Sequence, residues 1–171
     1  MPGSDLNAAT AIQSATIVVS SLSIVFALCS FHHSVLYMDT HMAGIVNLQE
    51  LLCRMSLELA SDDYVFCSTA QAMTFFEALE PFAMIREAEG LTLILSQTAA
   101  KSAGLSYDGV FKRITLEVHS SLVAVGLTAI VSAKLTEIGV SANVVAGYYH
   151  DHIFVPKEQA APAMQALAEL R

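Results

Sequence analysis

The stretch SSLVAVGLTAIVSAKLTEIGVSANVVAGYYHDHIFVP, residues 120–156, carries the pattern that decides the fold. Its first part predicts a long helix, because Ser120 and Ser121 suit an N-cap, the charges fall in the last turns and Gly139 follows. The remainder predicts two strands that meet in a tight turn around Asp151. A helix followed by a strand hairpin is the central part of a split β-α-β unit.

The flanking segments complete this unit. FKRITLEVH, residues 111–119, alternates apolar and polar side chains and predicts a strand. KEQAAPAMQALAEL, residues 157–170, predicts a final helix with Pro162 in its first turn, where proline is tolerated. The second half of the chain therefore has the order β-α-β-β-α.

The first half repeats the same order. GLTLILSQTAAKSAGL, residues 90–105, and DHIFVPKEQAAPAMQAL, residues 151–167, share a strand, a breaker residue and an Ala-rich helix. DDYVFCS predicts another strand, FAMIREAEGLTLIL predicts two strands that turn near Gly90, and NLQELLCRM predicts a shorter opening helix. A duplicated unit explains these similarities.

The predicted fold class is α+β, with tandem ferredoxin-like β-α-β-β-α units, antiparallel sheets and helices on one face. The first unit is expected to span 42–108 and the second 109–171. Residues 1–41 are expected to be a flexible extension outside the fold, with an apolar helix added to the domain as the alternative. They do not resemble a signal peptide, because the first basic residue of the chain is Arg54.

Composition excludes several classes of function. The net charge of −8, with eight scattered Lys and Arg residues, argues against nucleic acid as a partner. A membrane partner is also not expected, because the apolar N-terminal segment has no basic flanks. The three cysteines have no CxxC spacing, which indicates reduced thiols in a cytoplasmic protein.

The ordered segments resemble the ACT domain. VGLTA, YYHDHIFVP and, in the first half, IREAEGLTL match the pattern of paired ACT proteins. That group includes an uncharacterised bacterial family and, more remotely, the eukaryotic cytosolic arginine sensors. The usual Pro-Gly pair is here Val125-Gly126, placed slightly inside the predicted helix. The resemblance implies a ferredoxin-like fold, an amino-acid ligand and a regulatory function.

Catalytic and metal chemistry find little support in the sequence. His150 and His152 lie two residues apart, but a zinc site needs two more ligands, and turn or strand-edge positions explain both histidines. Ser120 and Ser121 are explained by helix capping rather than by a nucleophile. Glycine-rich phosphate loops are missing from the sequence. We therefore expect no enzyme activity, no metal and no cofactor.

The sequence favours a ligand site at the start of the predicted helix. Backbone N–H groups there would bind a carboxylate, the backbone of the strand at 142–146 would contact the ligand, and Asp151 would meet an ammonium group. Alternatives remain open, since Asp151 is also a good turn former and Gly126 also suits helix packing. Glu87 and Glu89 occupy the corresponding turn of the first unit. The candidate ligand-binding residues are Ser120, Ser121, Val125, Gly126, Asn143, Val144, Asp151 and His152.

The predicted function is therefore a regulatory protein that binds an amino acid, or a similar small zwitterion, in a groove between its units. The alternative is a structural or protein-interaction module that pairs through its sheets and binds no ligand. A homodimer is expected in either case, because exposed edge strands favour pairing.

Overall fold

The computed structural model describes residues 44–171, which contain six strands and four α-helices. The predictions for residues 1–41 lie outside the described residues. The strands are β1 Ser56–Thr69, β2 Ala83–Arg86, β3 Leu91–Ser96, β4 Phe111–Glu117, β5 Asn143–Ala146 and β6 Asp151–Pro156. The α-helices are α1 Leu48–Arg54, α2 Gln97–Ser102, α3 Leu127–Glu137 and α4 Ala160–Ala168, with 3-10 turns at Met73–Phe75, Glu77–Leu79 and Lys157–Gln159.

All six strands form one antiparallel sheet in the order β2-β3-β1-β4-β6-β5. Each half of the chain thus contributes a hairpin beside its own first strand. The two halves join where β1 pairs with β4, for example at Leu57 and Leu116. The fold class predicted from the sequence is confirmed, and the sheets of the two units are continuous.

The long strand β1 connects the two halves. Its C-terminal part pairs with β3 from Tyr64 to Thr69, and its N-terminal part pairs with β4 from Ser56. The register with β4 shifts between Leu59 and Asp63, which marks a bulge. The sequence predicted only the second part of this strand, because the residues before Asp62 do not alternate strictly.

The helices cover one face of the sheet, and the core lies between the two layers. Alternate residues of β4 and β6 point into this core, since side chains along a strand face opposite sides in turn. The main cluster combines these residues with α1, α3 and α4: Leu51, Met55, Ile114, Leu116, Val131, Leu135, Ile153, Val155, Ala163 and Leu167. A second cluster under α2 contains Val65, Cys67, Phe76, Leu91, Leu93, Leu95 and Ala100.

One helix prediction is wrong. The long helix does not start at Ser120, because α3 begins only at Leu127, after a glycine in the left-handed region of φ. The helix predicted at the start of the first unit is observed as α1, before β1, and its Leu51 lies in the core of the second half. Between β1 and β2, the first half has two short 3-10 turns. The predictions of α2, closed by Gly104, and of α4, with Pro162 in its first turn, are confirmed.

Candidate functional site

The loop from His119 to Gly126 forms one wall of the candidate site. It is held by the segment before α1, since Ile45 N–H donates to the His119 carbonyl at 2.8 Å and Ser121 N–H donates to the Ile45 carbonyl at 3.0 Å. Gly44 permits this approach, because a Cβ there would lie 2.4 Å from the Ser121 nitrogen. These bonds explain why the serines form a loop and not the first turn of a helix.

Gly126 ends the loop and starts α3. Its φ of 106° is unfavourable for residues with a side chain, and a Cβ there would lie 3.0 Å from Leu48 Cδ2. The sequence placed Gly126 inside the helix; the structure places it at the N-cap. Two features therefore favour glycine at this position: the positive φ and the closeness of the Leu48 side chain.

The N-terminus of α3 has free donors. The helix is not capped by a side chain, and Ile130 N–H donates to the Gly126 carbonyl at 2.9 Å. The N–H groups of Leu127, Thr128 and Ala129 precede this bond and have no intrahelical acceptor. Such a helix end carries a partial positive charge and binds anions.

Asp151 lies opposite, at the first position of β6. The hairpin that positions it closes through a 3.0 Å hydrogen bond from Gly147 N–H to the His150 carbonyl. Asp151 as a residue is only 9% exposed, and its carboxylate makes no hydrogen bond with residues 44–171. Burial raises the pKa of Asp151 above its usual value, and the neighbouring His150 offsets part of this rise. A buried carboxylate without a partner is costly, so a cationic group would stabilise it.

The helix end and the carboxylate line one pocket of about 110 Å³. Four of the predicted site residues, Ser120, Ser121, Gly126 and Asp151, line it together. The pocket lies entirely in the second half of the chain rather than between the two units. The sequence analysis did not name Leu122, Ala124, Leu127 or Thr128, and it included Ala146 only through the backbone of the strand at 142–146.

The other four predicted residues do not line this pocket. Val125 is beside it but 82% exposed, and Val144 packs against the core. Asn143 Nδ2 lies 3.5 Å from the Phe154 carbonyl. His152 follows Asp151 in β6 and therefore faces the opposite side of the sheet, where its Nδ1 lies 3.1 Å from Thr115 Oγ1.

An aromatic group lies beside the hairpin turn. The rings of His119 and Tyr149 are 5.1 Å apart, and those of Tyr148 and Tyr149 are 4.9 Å apart at a steep angle. His150 Nδ1 lies 3.4 Å from the Val118 carbonyl. The neighbouring residues 147–152 thus contribute to three different places: this aromatic group, the pocket and the far face of the sheet.

The first half has a pocket at the corresponding place. It measures about 290 Å³ and is lined by Gln71, Met73, Arg86, Glu87, Glu89 and Leu91, among others. The 3-10 turn at Met73–Phe75 takes the place of the α3 N-terminus. Glu87 accepts a hydrogen bond from Thr92, so it is already partnered. This pocket therefore lacks both the buried carboxylate and the free helix end.

Neither a metal site nor a membrane-spanning helix occurs in the described part of the chain. Within residues 44–171, no three His, Cys, Asp or Glu side chains come together as a metal site would require. In the same range, no helix has the length and apolar character needed to cross a bilayer.

Two ferredoxin-like units that share one antiparallel sheet, with helices on one face, define an α+β fold. Two family models described as "ACT domain" match residues 43–112 and 112–169. The chain belongs to the ACT-domain family. No curated protein sequence matches the chain.

Solved structures share this fold. A Vibrio cholerae protein of unknown function, described as a possible transport protein, is 55% identical, with a TM-score of 0.67 over 75% of this chain and 98% of that one. An Agrobacterium tumefaciens protein is 16% identical, with a TM-score of 0.59 over 68% and 89%. The regulatory subunit of aspartate kinase from Thermus thermophilus is 11% identical, with a TM-score of 0.54 over 67% and 95%, and shares the fold.

Proposed function

We propose that this protein is a cytoplasmic regulatory protein, without catalytic activity of its own, that binds a free amino acid or a similar small zwitterion. The ligand occupies the pocket between the N-terminus of α3 and Asp151. The observation that carries the proposal is the buried carboxylate of Asp151, which has no hydrogen-bond partner in the described chain and lines the same pocket as an uncapped helix end.

The two charges of a zwitterion match the two ends of this pocket. Its carboxylate would accept hydrogen bonds from the free N–H groups at Leu127 and Thr128, where the helix dipole favours an anion. Its ammonium group would pair with Asp151, which offsets the cost of burying that carboxylate. Ser120 and Ser121 offer further hydroxyl groups at the rim.

The lining also limits the ligand side chain. The apolar residues Leu122, Ala124 and Ala146 face the pocket, and none of its lining residues is basic. An acidic ligand side chain would therefore meet no cation. We infer a preference for amino acids with small, uncharged side chains, in keeping with a volume of about 110 Å³.

The direct test is calorimetry of the full-length protein against the twenty amino acids. We expect one amino acid to bind below millimolar concentration, and its enantiomer to bind more weakly. The two charges fix the ammonium and carboxylate groups, and only one enantiomer then directs its side chain to the apolar lining at Leu122, Ala124 and Ala146. If no amino acid binds below millimolar, the regulatory proposal fails.

A second candidate function has its own observation. Leu122, Val123 and Val125 of the pocket loop are 69%, 74% and 82% exposed. Contiguous exposed apolar side chains are typical of interaction surfaces. A homodimerising interaction module without a ligand is therefore the alternative. Sedimentation of the wild type and of Val125→Ser, with and without the amino acids, separates the two functions: dimer formation without any ligand effect supports the module.

A further inference from the structure

The face of the sheet opposite the helices carries a second cluster of functional groups, which the proposed function does not use. Phe154 of β6 is fully buried there, and the rings of Tyr64, Phe66 and Phe82 each lie 5.4–5.6 Å from its ring. Phe82 reaches this position from the segment before β2. Its ring also lies 4.8 Å from that of His152.

Arg113 of β4 lies in the middle of this aromatic cluster. Its guanidinium carbon is 4.9 Å from the centre of the Phe82 ring and 5.2 Å from that of Tyr64. Cation–π contacts of this kind hold a guanidinium in place and leave its N–H edge free to bind.

The N–H groups of Arg113 lack acceptors. Its Nε is buried without a hydrogen-bond partner, and within residues 44–171 the guanidinium makes no salt bridge. By contrast, Arg54 forms an ion pair with Glu50 at 2.9 Å. An unpartnered buried donor is rare in proteins, and one on a charged group is especially costly.

Arg113 has no anionic partner within residues 44–171. The nearby His152 has a pKa below its usual value because it is buried, and then because of the positive charges of Arg113 and His150. Asp151 faces the other side of the sheet, and its charge interacts with His150. The guanidinium of Arg113 is thus a cation without a counter-ion in the described chain, although the protein as a whole carries a net charge of −8.

We propose that Arg113 is the receptor of a carboxylate anion on the face of the sheet opposite the four described helices, distinct from the Asp151 pocket. A planar carboxylate pairs with a guanidinium edge through two parallel hydrogen bonds, which Lys cannot reproduce. Phe82 and Tyr64 fix the plane of the guanidinium. Because Nε is buried, the two Nη groups donate the two bonds. The anion is a free small carboxylate or the carboxylate side chain of a second copy of this chain.

The test is nuclear magnetic resonance of the full-length, nitrogen-15-labelled protein titrated with sodium succinate, with sodium chloride at equal ionic strength as the reference. The chain has four arginines, so Arg54, Arg86 and Arg171 serve as internal controls for the Nε–H signal of Arg113. We expect a saturable shift of the Arg113 signal alone. Arg113→Lys, which keeps the charge, should weaken binding by about tenfold or more.

Protein dilution distinguishes the two sources of the carboxylate. A succinate shift that does not depend on protein concentration identifies a free anion. A signal that moves on dilution, together with a change from dimer to monomer, identifies a carboxylate of the second copy. If the Arg113 signal responds to neither, or only as much as the other three arginines, the proposal is wrong. These outcomes are independent of whether the Asp151 pocket binds an amino acid.

Discussion

Leu91 and Asp151 occupy equivalent positions in the two halves of the protein. Each is the first residue of the strand that returns from a hairpin, each is buried, and β3 and β6 have the same sequence of buried and half-buried residues. At this position the first half has a leucine in its core, whereas the second half has a buried aspartate. That difference indicates why only the second pocket is suited to an ammonium group.

The first prediction concerns the stability of the ligand-free protein. Because burial raises the pKa of Asp151, the folded state binds more protons than the unfolded state at pH values between the usual aspartate value and the raised one. The free energy contributed by Asp151 therefore decreases as the pH rises through this window. Asp151→Asn lacks this penalty, so its melting temperature at neutral pH should equal or exceed that of the wild type.

Thermal melts across this pH range provide the check. The advantage of Asp151→Asn should shrink as the pH falls, because the wild-type carboxyl group then becomes neutral as well. A variant that melts several degrees below the wild type at neutral pH would show that Asp151 makes a stabilising contact without a ligand.

The second prediction concerns Asp63 at the bulge of β1. A hydrogen bond from Lys157, at 2.7 Å, and the ion pair with Lys112, at 3.1 Å, hold the pKa of Asp63 below its usual value. This stabilisation is fully present above the usual aspartate pKa and is lost as the pH falls through the lowered pKa. Because the pairs are partly exposed, Asp63→Asn should cost only about 1 kcal/mol at neutral pH.

Urea unfolding at neutral and at acid pH measures this difference. Asp62→Asn is the matched control, since the Asp62 side chain is exposed and makes no ion pair with the described residues. The difference between Asp63→Asn and the wild type should disappear in acid and decrease with added salt. A loss of stability that is the same at both pH values would contradict the electrostatic explanation.

The third prediction concerns Gly126, where the loop of the pocket meets α3. Gly126→Ala should destabilise the protein by more than the roughly 1–2 kcal/mol that a left-handed residue costs, because the new methyl group also meets Leu48. Gly104→Ala is the control, because its φ of 65° is also positive but no atom lies within 4 Å of the added Cβ. Only Gly126→Ala should also weaken amino-acid binding. Equal effects of both variants would show that the contact with Leu48 is unimportant.

The sequence predicted those parts of the fold that local patterns determine. The hairpins β2-β3 and β5-β6 were correctly placed, because turn residues separate runs of alternating or apolar side chains. The α3 start was missed because the capping preference of Ser120 and Ser121 is a local signal. Their pairing with Ile45, some seventy-five positions earlier in the chain, outweighs it.

The candidate site was predicted only in part for the same reason. Asp151 was singled out as a turn residue near a helix start, but its burial depends on how β6 lies beside β4 in the sheet. Thr128 and Ala146 meet at the pocket only through tertiary structure. The strand alternation could have separated His152 from Asp151, since neighbours in a strand face opposite sides.

Calorimetric titration of the wild type, Asp151→Asn and Asp108→Asn with the best-binding amino acid tests the central claim most directly. Asp108 is exposed, and its replacement by Asn removes the same charge outside the pocket. A hydrogen-bonded charge contact contributes roughly 1.5–3 kcal/mol, so Asp151→Asn should weaken binding about ten- to a hundredfold while Asp108→Asn binds like the wild type. Equal affinities for all three proteins would contradict the assignment of Asp151 as the partner of the ligand ammonium group.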